Sequence, residues 1–144
     1  MNTINKTTER ADQKINVRLK LSALWAALML LYIYADHFSL FRTGQIEKMI
    51  SGQIGPFPVT QGSLLAFSIL MMIPAVMVFL TLALKPNVSR WANIILGVLY
   101  TLVNISNLIG ETWVYYMFFG VVELVLTSLI VWYAWKWRNP EGQP

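Results

Sequence analysis

WANIILGVLYTLVNISNLIGE, residues 91–111, decides how this chain folds. The stretch is long and apolar enough to cross a membrane, yet one face of it is polar. Asn93, Gly97, Tyr100, Asn104, Asn107 and Glu111 follow one another at spacings of three and four. At about 100° per residue these positions fall in one narrow stripe of an α-helix. Lipid satisfies neither amides nor a carboxyl, so such a stripe must face other helices or a water-filled cavity. A bundle of membrane helices is therefore expected, with this helix turned toward its centre.

The composition agrees. Of 144 residues, 56% are hydrophobic and 12% charged, with a mean hydropathy of +0.54. A soluble domain has about half its residues apolar and about a quarter charged. The chain has no cysteine, which excludes disulfides, thiolate metal sites and S-acylation. His37 is the single histidine, and HExxH is absent. The formal charge of +4 lies beside the apolar stretches, where it sets orientation and leaves no aromatic-interleaved basic surface for nucleic acid.

Outward from residues 91–111, three more apolar stretches have the roughly 20 residues that a hydrocarbon core of about 30 Å requires. The expected spans are about 21–40, 62–84, 91–110 and 113–135, within a transmembrane domain of 19–138. Residues 1–18 form a polar segment without a small-x-small cleavage site after the first span, and 139–144 form a polar tail. Residues 43–60 are too short to cross. Ile46, Met49 and Ile50 form one apolar face of a short helix there, ended by Gly52, and Gly55-Pro56 and Pro58 break regular structure. This connection reads as an interfacial cap over the bundle mouth. In the second span, Pro74 predicts a kink near Leu70–Met71, and Thr60 or Ser63 is the expected N-cap. The fold class is an all-α membrane protein: a four-transmembrane-helix antiparallel bundle with a short interfacial helix between spans 1 and 2.

Lysine and arginine set the topology. Five stand in residues 1–20, Lys85 and Arg90 between spans 2 and 3, and Lys136 and Arg138 at the end. Only Arg42 and Lys48 stand on the other side, so both termini are expected to be cytoplasmic.

Short connections make consecutive helices antiparallel neighbours, which places the polar groups in two tiers. Near the outer surface come Asp36, His37, Asn107, Glu111 and Tyr116, with Arg42 above them and able to reach back to Asp36. About 15 Å deeper come Glu123, Tyr100, Asn104 and Thr127. A charged acid at a helix centre costs roughly 2.5–3.5 kcal/mol on insertion scales, so Glu123 is expected to pack against Tyr100 and Asn104. A carboxyl that can be neutral in the membrane can carry a proton or hold a ligand. The bland alternative is an interhelical hydrogen bond, which is also the ordinary role of Asn104 and Asn107. With Asp36 and Glu111, His37 offers only a weak one-histidine, two-carboxylate pattern, so neither a metal nor a cofactor is assigned.

The segments YIYADHFSL, Met72-Ile73-Pro74, Leu84-Lys85-Pro86, RWANIILG at 90–97 and VWYAW at 131–135 carry a resemblance. Over about residues 18–137 the chain resembles a bacterial family of four-span membrane proteins classed as a domain of unknown function. The resemblance implies an inner-membrane protein with an aspartate at Asp36, a Gly-Pro loop at Gly55-Pro56, a proline at Pro74 and an acid at Glu123. His37 departs from the aromatic residue expected at its position. No activity comes with the family.

Two functions stay open. One is a small transporter-like protein, as a homo-oligomer if a second wall is needed, with Glu123 as the proton-coupled group. The other is a membrane-embedded binding protein or accessory subunit holding a lipid, quinone or small amphiphile near the outer mouth. Catalysis lacks a nucleophile–base pair, a metal cluster and a cofactor fingerprint.

Overall fold

In a computed structural model, residues 15–137 are described; most of the polar N-terminal segment and the tail lie outside the described residues. The elements are α1 (Val17–Ser39), α2 (Gln45–Ile50), β1 (Gln53–Ile54), β2 (Phe57–Pro58), α3 (Gln61–Ala83), α4 (Pro86–Leu108) and α5 (Val114–Lys136). α1, α3, α4 and α5 each have 23 residues and are long and apolar enough to cross a membrane. Their length of about 34 Å exceeds a bilayer core slightly.

Local chemistry sets where each helix starts. The Asn16 side chain accepts from the Arg18 N–H at 2.9 Å and caps α1. Thr60 caps α3 in a reciprocal pair: its Oγ1 accepts from the Ser63 N–H at 3.1 Å, and its own N–H donates to the Ser63 Oγ at 2.9 Å. Lys85-Pro86 does end α3, but α4 begins at Pro86 rather than at Trp91. At the first helical position the missing proline N–H would have no intrahelical partner anyway, so Pro86 initiates the next helix.

The 43–60 connection is more ordered than its glycines and prolines suggest. After α2, Gly52 takes φ 81°, and Gly55-Pro56 forms the turn of a small antiparallel hairpin rather than an irregular break. Gln53 pairs with Pro58, and Ile54 with Phe57. Gly55 at φ 57° supplies the left-handed conformation that this tight turn needs.

The four long helices form an up-down-up-down ring in the order α1, α3, α4, α5, closed by α5 against α1. α4 and α5 pack most closely. At Gly97 an added Cβ would stand 2.8 Å from Val131 Cγ2 and 3.2 Å from Ile130 Cγ2, so only glycine allows this approach. α3 and α4 pack lightly. The outer surface is apolar on every helix, with Ile33, Phe79, Leu102 and Phe118 all more than half exposed. An exterior of this kind suits lipid.

The core divides into two halves. Toward the terminal end, where α1 begins and α5 ends, α1, α3 and α4 meet in a sealed polar seam centred on Asn93, which is fully buried. Asn93 Oδ1 accepts from Trp25 Nε1 at 2.7 Å, and its Nδ2 donates to the Ser89 carbonyl at 2.8 Å and to Thr81 Oγ1 at 3.3 Å. Ser89 Oγ donates to the Thr81 carbonyl at 2.9 Å, and Ser22 Oγ to the Val78 carbonyl at 2.7 Å. Arg18 donates to the Leu84 carbonyl, and Arg90 Nε to the Ala134 carbonyl at 3.1 Å, tying off the last turns of α3 and α5. Buried polar groups of a membrane bundle need such partners, and around Asn93 they have them; the Arg18 Nε is the buried atom of this half left without one among the described residues.

The other half, toward the 43–60 connection, is open. α3 runs as one helix through Pro74, but its buried residues are Pro74, Met77 and Thr81. From Gln61 to Ile73 none of its residues is buried. α3 thus packs into the bundle at one end and stands off it at the other.

Candidate functional site

The space left by the loop-end half of α3 is a cavity of about 560 Å³, walled by all four long helices. Gln45, Met49 and Ile54 of the 43–60 connection reach its mouth. Leu64, Phe67 and Ser68 line it from α3, and Val103 and Asn107 from α4. Drug-sized ligand pockets commonly have about 300–1,000 Å³. A second groove, of about 640 Å³, is lined by α5 alone, from Val121 to Trp132, and is an open, lipid-facing surface.

The floor is built around Pro74. Proline offers no N–H to the carbonyl four residues earlier, which belongs to Leu70. The Tyr100 hydroxyl donates to that carbonyl across the α3–α4 interface. Tyr100 is in turn held edge-on by Trp25, with ring centroids 5.8 Å apart. Tyr32 of α1 completes the floor, its hydroxyl donating to Asn104 Oδ1 at 2.7 Å. Asn104 Nδ2 is buried without a partner.

Glu123 lines this cavity from α5 and is 6% exposed. The expectation that Tyr100 and Asn104 would hydrogen-bond its carboxyl is not met. The Tyr100 hydroxyl donates instead to the Leu70 carbonyl that Pro74 leaves open, and Asn104 accepts from Tyr32 through Oδ1 while its Nδ2 does not reach the carboxyl. Among the described residues, no hydrogen bond reaches the Glu123 carboxyl. Thr127 bonds within its own helix, to the Glu123 carbonyl at 3.0 Å.

Asp36 stands on the cavity wall one turn from the end of α1 and is exposed to the open space. It shares this lining with Glu123, so the two acids face one space. Tyr116 and Asn107 line the same space nearer its mouth. This cavity is the space that the two acids share. Among the described residues, no lysine, arginine or histidine lines it.

Arg42 does not reach back to Asp36. Its Nη2 pairs with Glu111 Oε2 at 3.0 Å, and its Nε donates to the Tyr115 hydroxyl at 2.6 Å. Its guanidinium lies 4.8 Å from the Tyr116 ring centroid and within 5.5 Å of those of Tyr115 and Trp113. Glu111 also accepts from the Thr112 and Trp113 N–H groups at 2.9 and 3.0 Å, which orders the approach to α5. Partial burial by itself would raise the Glu111 pKa. The Trp113 N–H, the Arg42 hydrogen bond, the Thr112 N–H and the Arg42 charge together outweigh it and hold the carboxyl below its ordinary range. Glu111 and Arg42 therefore form a latch that joins the turn after α1 to the α4–α5 turn. His37 turns outward instead, against Phe38 and Phe41 at 5.9 and 5.6 Å. Asp36, His37 and Glu111 consequently do not converge, and no cluster of three potential metal ligands occurs among the described residues.

Residues 9–143 match a family of unknown function, DUF6326. The chain is a member of this family. The DUF6326 match spans the whole bundle, cavity and latch included. No curated protein and no solved structure matches the chain. For this DUF6326 member the site rests on its own geometry. Of the residues singled out from sequence, Glu123, Asp36, Tyr100, Tyr116 and Asn107 meet at the cavity, and Asn104 supports its floor from behind. Glu111, Arg42 and His37 lie elsewhere. Tyr32, Phe67 and Ser68 were not singled out. Tyr32 carried a signal, since it stands four residues before Asp36 on the same face of a helix, but nothing local distinguishes Phe67 or Ser68 from residues that face lipid.

Proposed function

We propose that the protein is a multi-pass bacterial inner-membrane protein that binds a small amphiphile in a cup open toward the outer face. The observation that carries this reading is a cavity of about 560 Å³ with a buried, unpartnered Glu123 at its inner end. An ionisable group in a membrane interior is expensive and ordinarily serves a site. The Asn93 seam supports binding over conduction, because it fills the terminal half with satisfied, close-packed groups. Lysine and arginine near the terminal end support a cytoplasmic location for both termini.

A transporter-like action is the second reading, favoured by Pro74. It sits at the boundary between the standing-off and the packed parts of α3, where one half of the helix can swing against the other. Both readings need an occupant. An experimental density map of the full chain in lipid nanodiscs should show density between α3 and α4 beside Glu123. A collapsed or unoccupied cavity in a well-resolved map would overturn the binding reading.

A further inference from the structure

We infer that the occupant is a hydrophobic organic cation: an amine or quaternary ammonium or phosphonium with an apolar body, its charge held between Asp36 and Glu123. The inference deepens the binding reading and rests on it. The cavity's charged groups are both acids. Arg42 is already paired with Glu111 and turned into its own aromatic box. An anionic headgroup entering here would meet two carboxyls and no partner, whereas a cation would answer both. Glu123 supplies the independent sign of a ligand: its side chain is buried, lacks a hydrogen-bond partner and opens into the cavity.

The rest of the lining suits the body of such a molecule. The rings of Tyr32, Phe67, Tyr100 and Tyr116 border the cavity, and aromatic faces attract cations, more strongly where water is excluded. Leu64, Leu70, Met71 and Val103 supply apolar surface between them. Methionine and leucine walls adapt to varied shapes, so the site selects by charge and apolarity more than by outline.

The test uses two probes of the same shape and opposite charge, tetraphenylphosphonium and tetraphenylborate, with decylubiquinone as an uncharged amphiphile. Binding is measured on the full chain in nanodiscs. Ser68→Trp fills the cavity from an exposed wall position and leaves both acids in place. Glu123→Gln and Asp36→Asn remove one charge each, and exposed Asp36 tolerates substitution should Glu123→Gln fold poorly. Saturable binding of tetraphenylphosphonium alone, weakened about tenfold or more by either acid substitution and abolished by Ser68→Trp, is expected. Saturable binding of tetraphenylborate or decylubiquinone that Ser68→Trp abolishes and the acid substitutions spare would overturn the cation inference and leave the binding cup standing. If Ser68→Trp alters no probe's binding, or no probe binds saturably, both fall.

Discussion

Pro74 withholds a donor from the Leu70 carbonyl, and Tyr100 on another helix supplies one. This pairing makes a quantitative prediction. In Tyr100→Phe the ring still packs on Trp25, but a carbonyl inside the bundle loses its partner, at a cost of about 1–3 kcal/mol. In a Pro74→Ala background the alanine N–H takes over that carbonyl, so the same substitution should cost less than half as much. A double-mutant cycle on unfolding in detergent reads the difference, and equal costs in the two backgrounds would refute the link. Glu111 makes a prediction in pH. Its folded pKa lies below the ordinary value, so the stabilisation from the latch is fully present above the ordinary carboxylate range and is lost as pH falls through the folded pKa. Glu111→Gln should flatten that acid limb of thermal stability while leaving the neutral side of the profile parallel to that of the native chain. An unchanged acid limb would show that Glu111 does not carry it.

At the scale of elements, the four helices were legible because 18 or more apolar residues bounded by charges have few alternatives. The α4 stripe was legible for the same reason: Asn93, Gly97, Tyr100 and Asn104 are all buried, as lipid requires of polar groups. The partner chosen by each polar group was not legible. Whether Arg42 turns to Asp36 or to Glu111 depends on the path of residues 40–44 and the rotation of α1 by a fraction of a turn, which spacing does not determine. The stand-off of α3 was hidden for a different reason. Leu64, Leu65, Phe67 and Ile69 suit lipid, a cavity wall or a packed core equally well, so hydropathy alone cannot distinguish them. Close approach, by contrast, leaves a mark at Gly97. Gly97→Val should push α4 off Ile130 and Val131 and destabilise the bundle by about 1–3 kcal/mol, read as a lower midpoint of detergent unfolding. The same substitution at Gly62, where an added Cβ would meet only Thr60 Oγ1 at 3.9 Å, should have far less effect. Equal losses at the two glycines would mean that helix propensity, and not packing, decides.

At the scale of the molecule, a sealed half joined to an open half implies that access is one-sided. The absence of cysteine makes this directly measurable, since any thiol introduced is the only one in the chain. Ser68 lines the cavity from α3 and Asn107 from α4, whereas Ser89 lies fully buried in the Asn93 seam. In the proposed orientation, with both termini cytoplasmic, Ser68→Cys and Asn107→Cys should react with a membrane-impermeant maleimide added to intact cells. Ser89→Cys should stay unreactive from either side until the protein is denatured. Tetraphenylphosphonium should slow the reaction at Ser68→Cys if it occupies the cavity, with Glu123→Gln removing the protection. Labelling of Ser68→Cys only from inverted vesicles would reverse the orientation while leaving the cup intact. Ready labelling of Ser89→Cys in the folded protein would show that the terminal half opens, and would move the balance from binding toward transport.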